Sequence, residues 1–299
     1  MSEKDAVDVE VIGEEVDARG DSAPDNRFRL RLSGKIGLAV VIAWVLIALL
    51  APWIAPYSEE EFVSYDSFLP AFDEYVLGTD YIGRDMLSRL IHGSRLTIFM
   101  ALCATIIAST LGTLMGTIAA VKGGWVDQVI SRINDAFLSF PTIMLGLVVI
   151  AALGSSIPIL IICTGLIYAS SVFRIARALA ADQVAMDYIE VARTRGEGTF
   201  WLLGSEVLPN IVVPLVVDFG IRLAFTILFL SGMSFLGLGV QPPAADWGSM
   251  VRENIASLTS GRWTAIYPAM AIASLTIGLN LMVDDYTAHS GRGIAGKLV

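Results

Sequence analysis

Charge is what this sequence has least of. Only 16% of its 299 residues are Asp, Glu, Lys or Arg, against roughly 25% in an ordinary soluble domain. With 55% hydrophobic residues and a mean hydropathy of +0.68, the chain reads as a membrane protein. Cysteine is nearly absent. Cys103 and Cys163 lie in apolar runs without motif spacing, which excludes a disulfide framework and a thiolate metal site and leaves two small packing residues. The two histidines, His92 and His289, are too few for a His-based metal or catalytic cluster. There is no G-x-S-x-G nucleophile turn. There is also no G-x-x-x-x-G-K-[ST] phosphate loop, because the nearest fragment, GIAGK at 293–297, has the wrong spacing. Glu59-Glu60-Glu61 lacks the spacing of a calcium loop, so no metal and no cofactor are expected.

What the chain does have is long apolar runs. A transmembrane helix needs about 20 mostly apolar residues. Charge-free stretches occur at Ile36–Ser58, Leu96–Val121 and Ala136–Phe173. The last is too long for one span and breaks at Gly154-Ser155-Ser156-Ile157-Pro158, which predicts two helices joined by a tight turn. Leu208–Val240, interrupted only by Asp218 and Arg222, and Trp263–Val283 complete six spans. Six spans put both termini on one side. The first span is expected over 34–56, an extracytoplasmic loop over 57–93, a five-helix core over 94–285, and a cytoplasmic tail over 286–299.

The remaining charge is unevenly placed. Residues 1–26 hold nine acids against Lys4 and Arg19, so they carry −7 of the net −9 and the rest of the chain only −2. This acidic tail has no aromatics and is expected to be disordered and cytoplasmic, within a segment 1–33 that ends in basic residues. It does not open like a signal peptide. With the N-terminus inside, inner segments hold fourteen Lys and Arg and outer segments five, which sets the orientation. Arg27, Arg29 and Arg31 form an inner anchor that would attract anionic lipid headgroups. Pro242-Pro243 is expected to end the fifth span, and Trp247 and Trp263 suit interfacial positions.

One cytoplasmic loop stands out, YIEVARTRGEGTFWLLGSEVLPN at 188–210. Asp187–Arg195 has good helix formers and a polar surface. Gly196 follows where a left-handed residue often ends a helix. Thr199 can cap a second short helix, Phe200–Val207, and Pro209 starts the next span, where its missing N–H costs little. A knob tied at both ends to spans can transmit a push, and an amphipathic surface helix has the same pattern. Gly112-Thr-Leu-Met-Gly116 is a G-x-x-x-G suited to close helix contact. Gly232, Gly237 and Gly239 permit bending or close packing. Asp218 and Arg222, four apart and deep in a span, share a helix face. They read either as a pathway-lining pair that meets substrate termini or as an interhelical ion pair at an interface. Asp80, Arg84 and Asp85 read as a solvated outer loop or as a surface for a docking protein.

Four segments together resemble one family. Glu190-Val-Ala192, Gly196 and Leu208-Pro209-Asn210 look like the EAA loop of binding-protein-dependent ABC importer permeases, with Val191 in place of the family's middle alanine. LGTDYIGRDMLSRLIHGSR (77–95), KGGWVDQVISRINDAFLSFPTIML (122–145) and LSGMSFLGLGVQPPAADWGSM (230–250) resemble the dipeptide/oligopeptide/nickel branch, in particular its C-type permease. The resemblance covers roughly 35–285. It implies an all-α, six-span type I importer fold with a cytoplasmic coupling helix inside 187–210, in the prokaryotic inner membrane.

It further implies a homologous second permease, one or two ATPase subunits that hydrolyse the ATP, and an extracytoplasmic solute-binding protein. Membrane lipid is the surrounding partner, and no nucleic acid is involved. Glu190, Ala192, Arg193, Gly196 and Pro209 would couple to the ATPase. Ala192 would permit close approach, Glu190 would pair with a partner base or cap a backbone, and Gly196 would turn the chain. The substrate would be a short peptide or a related small solute, with nickel or glycosides open. Two departures appear. The branch carries neutral residues where Asp218 and Arg222 stand, and NLMVDDYTAHSGRGIAGKLV (280–299) lacks the usual arginine-bearing tail. An ion-coupled secondary transporter using Asp218 and Arg222 is the alternative class. A membrane enzyme ranks last.

Overall fold

In the computed structural model, residues 31–295 are described, with side-chain surroundings up to 288. The acidic tail with Arg27 and Arg29, and Lys297 at the other end, lie outside the described residues. Within them the fold is all-helical. The helices are α1 (Leu32–Ile54), α2 (Met86–Lys122), α3 (Gly124–Leu138), α4 (Thr142–Leu153), α5 (Ile157–Val184) and α6 (Asp187–Thr194). They continue with α7 (Thr199–Phe235), α8 (Trp247–Glu253) and α9 (Ile266–Ala295). Five are long and apolar enough to cross a membrane, and six spans result if α3 and α4 count as one.

Several boundaries differ from the apolar runs, each for a local reason. Pro56 disfavours helical geometry at the preceding residue, so α1 ends at Ile54 with Ala55 extended (ψ 126°). The second helix starts at Met86, not at the first charge-free residue, because Asp85 caps it: its carboxylate accepts from the Ser88 N–H and Oγ–H at 2.8 and 2.6 Å. The loop between the first two spans is therefore shorter than the expected 57–93. At 37 residues, α2 is about 55 Å long, well beyond the ~30 Å hydrocarbon core. Part of the helix therefore lies outside the hydrocarbon core. The expected third span is broken. Pro141 removes a donor and excludes helix at Phe140, and α3 and α4 meet at 86°. Twelve residues of α4 span only about 18 Å. At the chain's end α9 continues past 285 to Ala295.

Close helix contacts are made by glycine. A Cβ on Gly112 would lie 2.6 Å from the Val172 Cβ, and one on Gly116 would lie 2.7 Å from the Phe173 carbonyl oxygen, so the G-x-x-x-G seats α2 directly on α5. Gly37 meets the Gly278 carbonyl in the same way and seats α1 on α9. Asp285 then ties the two together by accepting from the Arg31 N–H at 3.0 Å. The main core gathers Met86, Met100, Leu230, Met233, Trp247 and Met250 with residues of α9. Trp247, expected at an interface, is fully buried. Its Nε1–H donates to the Leu90 carbonyl at 3.0 Å, and its ring packs edge-on against Trp44. Trp263 is exposed. Cys103 and Cys163 are unpaired thiols.

Candidate functional site

The stretch 187–210 folds as a helix, a glycine turn and a second helix. Its turn is a hydrogen-bonded C-cap. The Gly196 N–H donates to the Arg193 carbonyl and the Glu197 N–H to the Ala192 carbonyl, with Gly196 at φ +85°, a left-handed position that glycine holds without a Cβ clash. Thr199 does not cap the next helix, since the N-cap is Gly198 and no side chain bonds there. That helix does not stop at Pro209 either. It passes through a π-helical segment, Leu202–Val207, and continues as α-helix from Leu208. The wider turn leaves Pro209 near the start of the α-helical ladder, where its absent N–H and its ring are accommodated.

One face of α6 rests on its own chain. Ile189 and Ala192 are buried with Val121, Ala180, Leu202, Leu203, Val207 and Ile211. Arg193 donates from Nη2 to the Val121 carbonyl at 3.1 Å, tying α6 to the end of α2. Asn210 Nδ2 donates to the Glu206 carbonyl and to the Tyr188 hydroxyl, closing the loop on itself. Ala192, expected at a partner contact, is 0% exposed. Its small side chain lets α6 sit down on the spans instead. Outside that seat the loop carries Glu190 and a set of exposed apolar groups, Met186, Tyr188 and Val191 at α6 and Phe200 at the start of α7, the last 81% exposed. Val191, the departure from the EAA pattern, belongs to this outward set.

The polar stretch before α2 behaves in the opposite way. Asp80, Arg84 and Asp85 are all buried, so the expectation of exposed docking residues is corrected. Asp80 Oδ2 pairs with Arg84 Nε at 2.7 Å and Arg89 Nη1 at 3.4 Å. Glu253 of α8 pairs with Arg84 and Arg89 at 3.4 and 3.3 Å. Two acids and two bases thus close a neutral cluster, as burial of charge requires. Burial is the main force pushing the Glu253 carboxyl above its usual range, and the Arg84 charge opposes it. The Asp80 Oδ1 also accepts from the Ile82 and Arg84 N–H groups. Nearby Asp246 caps α8 and accepts from the Thr97 hydroxyl at 2.9 Å; its complete burial raises its pKa. Arg89 and Glu253 were missed in sequence because each sits in a short polar stretch with nothing to mark it as buried. Length was the available signal: α2 is too long for the bilayer alone.

Asp218 and Arg222 do pair, Arg222 Nε to Asp218 Oδ1 at 3.2 Å. They face different spaces. Asp218 lines a cavity of about 190 Å³ with Ser109 and Thr113. Arg222 lines one of about 420 Å³ between α4, α5 and α7 with Tyr168, Ser171 and Thr142. A second ion pair, absent from the sequence reading, joins α3 to α5. The Arg177 guanidinium donates from Nε and Nη2 to the two oxygens of Asp127.

Residues 108–295 match the family of binding-protein-dependent transport system inner membrane components, and residues 26–71 match the N-terminal transmembrane domain of oligopeptide transport permease C. The chain belongs to the first family. It is similar to the di/tripeptide transport system permease protein of Pseudomonas aeruginosa, 34% identical over 254 residues, 83% of this chain and 84% of the relative. It is also similar to the dipeptide transport system permease protein of Haemophilus influenzae, at 33% over 263 residues, 86% and 89% of the two chains. A glutathione transport system permease protein of Escherichia coli shares 34% over 260 residues, 86% of each chain. This chain is accordingly a multi-pass inner-membrane permease subunit of an ABC importer, neither an enzyme nor an ion-coupled carrier. In this permease the stretch 187–210 has one side buried on its own spans and exposed apolar residues on the other.

Proposed function

We propose that this permease forms half of a translocation pathway for short peptides, driven by separate ATPase chains that grip α6 in the cytoplasm. The observation that carries the reading is the two-faced coupling helix. Ile189 and Ala192 are locked against the ends of α2, α5 and α7, while Met186, Val191 and Phe200 are exposed on the other side. A short helix so anchored moves with the spans, and its uncovered apolar groups fit a groove on a partner. In this reading Glu190 meets a partner base, Arg193 and Gly196 fix the lever's angle, and Pro209 marks its junction with α7. Both termini then lie in the cytoplasm. The 55–85 loop, held by Asp80, Arg84 and Asp85, faces a binding protein outside.

The peptide substrate is supported by the relatives, which are di/tripeptide, dipeptide and glutathione transport permeases. Arg222 supports it chemically: it presents a guanidinium to a cavity lined by Tyr168 and Phe229, a setting suited to a terminal carboxylate. The second permease subunit would cover the exposed Phe140, Ile143, Met144 and Val148 of the broken span. Val191→Asp and Phe200→Ala test the coupling. Each should reduce co-purifying ATPase and peptide uptake while leaving the permease's thermal unfolding unchanged. Normal uptake with normal ATPase recovery in both variants would remove the docking role from this face.

A further inference from the structure

A trough of about 620 Å³ lies between α1 and α2 on the side of the 55–85 loop. Its walls are apolar, with Val45 and Leu49 from α1 and Phe99 and Leu102 from α2, all substantially exposed. Its mouth is polar, with Glu59, His92 and Arg95. His92, Arg95, Phe99 and Leu102 follow at intervals of three, four and three, so they share one face of α2. Along about 15 Å of that face the lining passes from charged to wholly apolar. The α1 wall runs the same way, since Val45 lies further from the loop than Leu49. Arg95 is exposed and has no hydrogen bond or ion pair among the described residues. Glu59 is held in place through one oxygen, which accepts from the Ala245 N–H at 2.9 Å.

We propose that this trough holds one phospholipid whose head carries a phosphate and a primary ammonium. The phosphate sits on Arg95 with His92 beside it, the ammonium faces Glu59, and an acyl chain lies along Leu49, Val45, Phe99 and Leu102. Three features favour a lipid over a protein segment. The gradient from polar to apolar follows the axis of membrane-spanning helices, as an amphiphile in the bilayer does. The two opposite charges sit together at one end, matching a zwitterionic head. An unpaired guanidinium at the edge of the hydrocarbon gains a charge-assisted bond to phosphate. The proposal depends on the membrane placement of α1 and α2, and not on coupling or substrate.

Native mass spectrometry of the purified transporter tests it, with phosphatidylethanolamine, phosphatidylcholine and phosphatidylglycerol titrated in turn. The ethanolamine lipid should bind about tenfold more tightly than the other two, the ratio expected for one charge-assisted hydrogen bond. Arg95→Ala should weaken all three about tenfold. Glu59→Gln, which keeps the acceptor for Ala245, should abolish only the preference for ethanolamine over choline. Leu49→Trp should weaken retention by narrowing the trough. Equal retention in wild type and Leu49→Trp would overturn the proposal, as would unchanged affinity in Arg95→Ala. So would a disulfide-trapped contact between Phe99→Cys and a second permease chain. Monodisperse elution of each variant separates these results from misfolding.

Discussion

Two polar segments interrupt this apolar chain, and they resolve their polarity in opposite ways. Residues 77–89 turn their charges inward, so that Asp80, Arg84 and Arg89 meet Glu253 in a closed cluster. Residues 187–200 turn apolar atoms both inward and outward and leave their charged groups in solvent. The first arrangement balances its charges internally and is closed to solvent, so it makes a frame. The second has a seated face and an uncovered one, which suits the contact proposed for it. A hydrophobic side chain left in water beside a rigid anchor is the more informative sign of docking, and a charged loop is the weaker one.

The comparison breaks most easily at the frame. Arg89→Met strands Asp80 and Glu253 without part of their counter-charge. It should cost about 3–5 kcal/mol, seen as a large fall in the Tm of the detergent-solubilised protein, with partial recovery in Arg89→Met/Glu253→Gln. A Tm close to wild type would mean the cluster is solvated. Next comes Ala192→Leu, which inserts bulk beneath α6 and should cost about 1–3 kcal/mol together with uptake. Full stability with lost uptake would place Ala192 at a partner instead. Gly196→Val meets no neighbouring atom within 4 Å, so its cost is backbone strain alone, about 1–2 kcal/mol, with Gly196→Asn milder.

A smaller effect concerns pH. The folded state raises the Asp246 pKa, so it binds a proton more tightly than the unfolded chain does. The group's contribution therefore falls as pH rises from the ordinary carboxylate value through the raised one. Asp246→Asn keeps the cap and removes that slope, and Tm against pH should be flatter over this window. Smallest of all, Phe200→Ala should change stability by less than about 0.5 kcal/mol and still lower ATPase recovery. That contrast with Ala192→Leu sharpens the distinction between the seated and the uncovered side of the 187–210 loop.

Much of the architecture was legible because the bilayer imposes a length and a composition on every span. Gly196 and the G-x-x-x-G at 112–116 were readable because only glycine serves their geometry. The break at Pro141 was carried by the sequence too, but a charge-free run concealed it, since hydropathy does not report backbone direction. The coupling loop was visible as a polar stretch between spans, while the inward side of Ala192 was not. A small residue permits close approach from either side, and only the surrounding Val121, Leu203 and Val207 decide which.

The sequence alone determined that this chain lives in a membrane, where its helices run in outline, and which polar loop between spans turns at a glycine. Those features depend on local composition and on steric limits of single residues. Tertiary structure alone decided that Asp80, Arg84 and Asp85 are enclosed, that Arg89 finds Glu253 some 160 residues away, and which face of α6 is left uncovered. Burial and pairing are properties of distant segments brought together, and no window of neighbouring residues contains them.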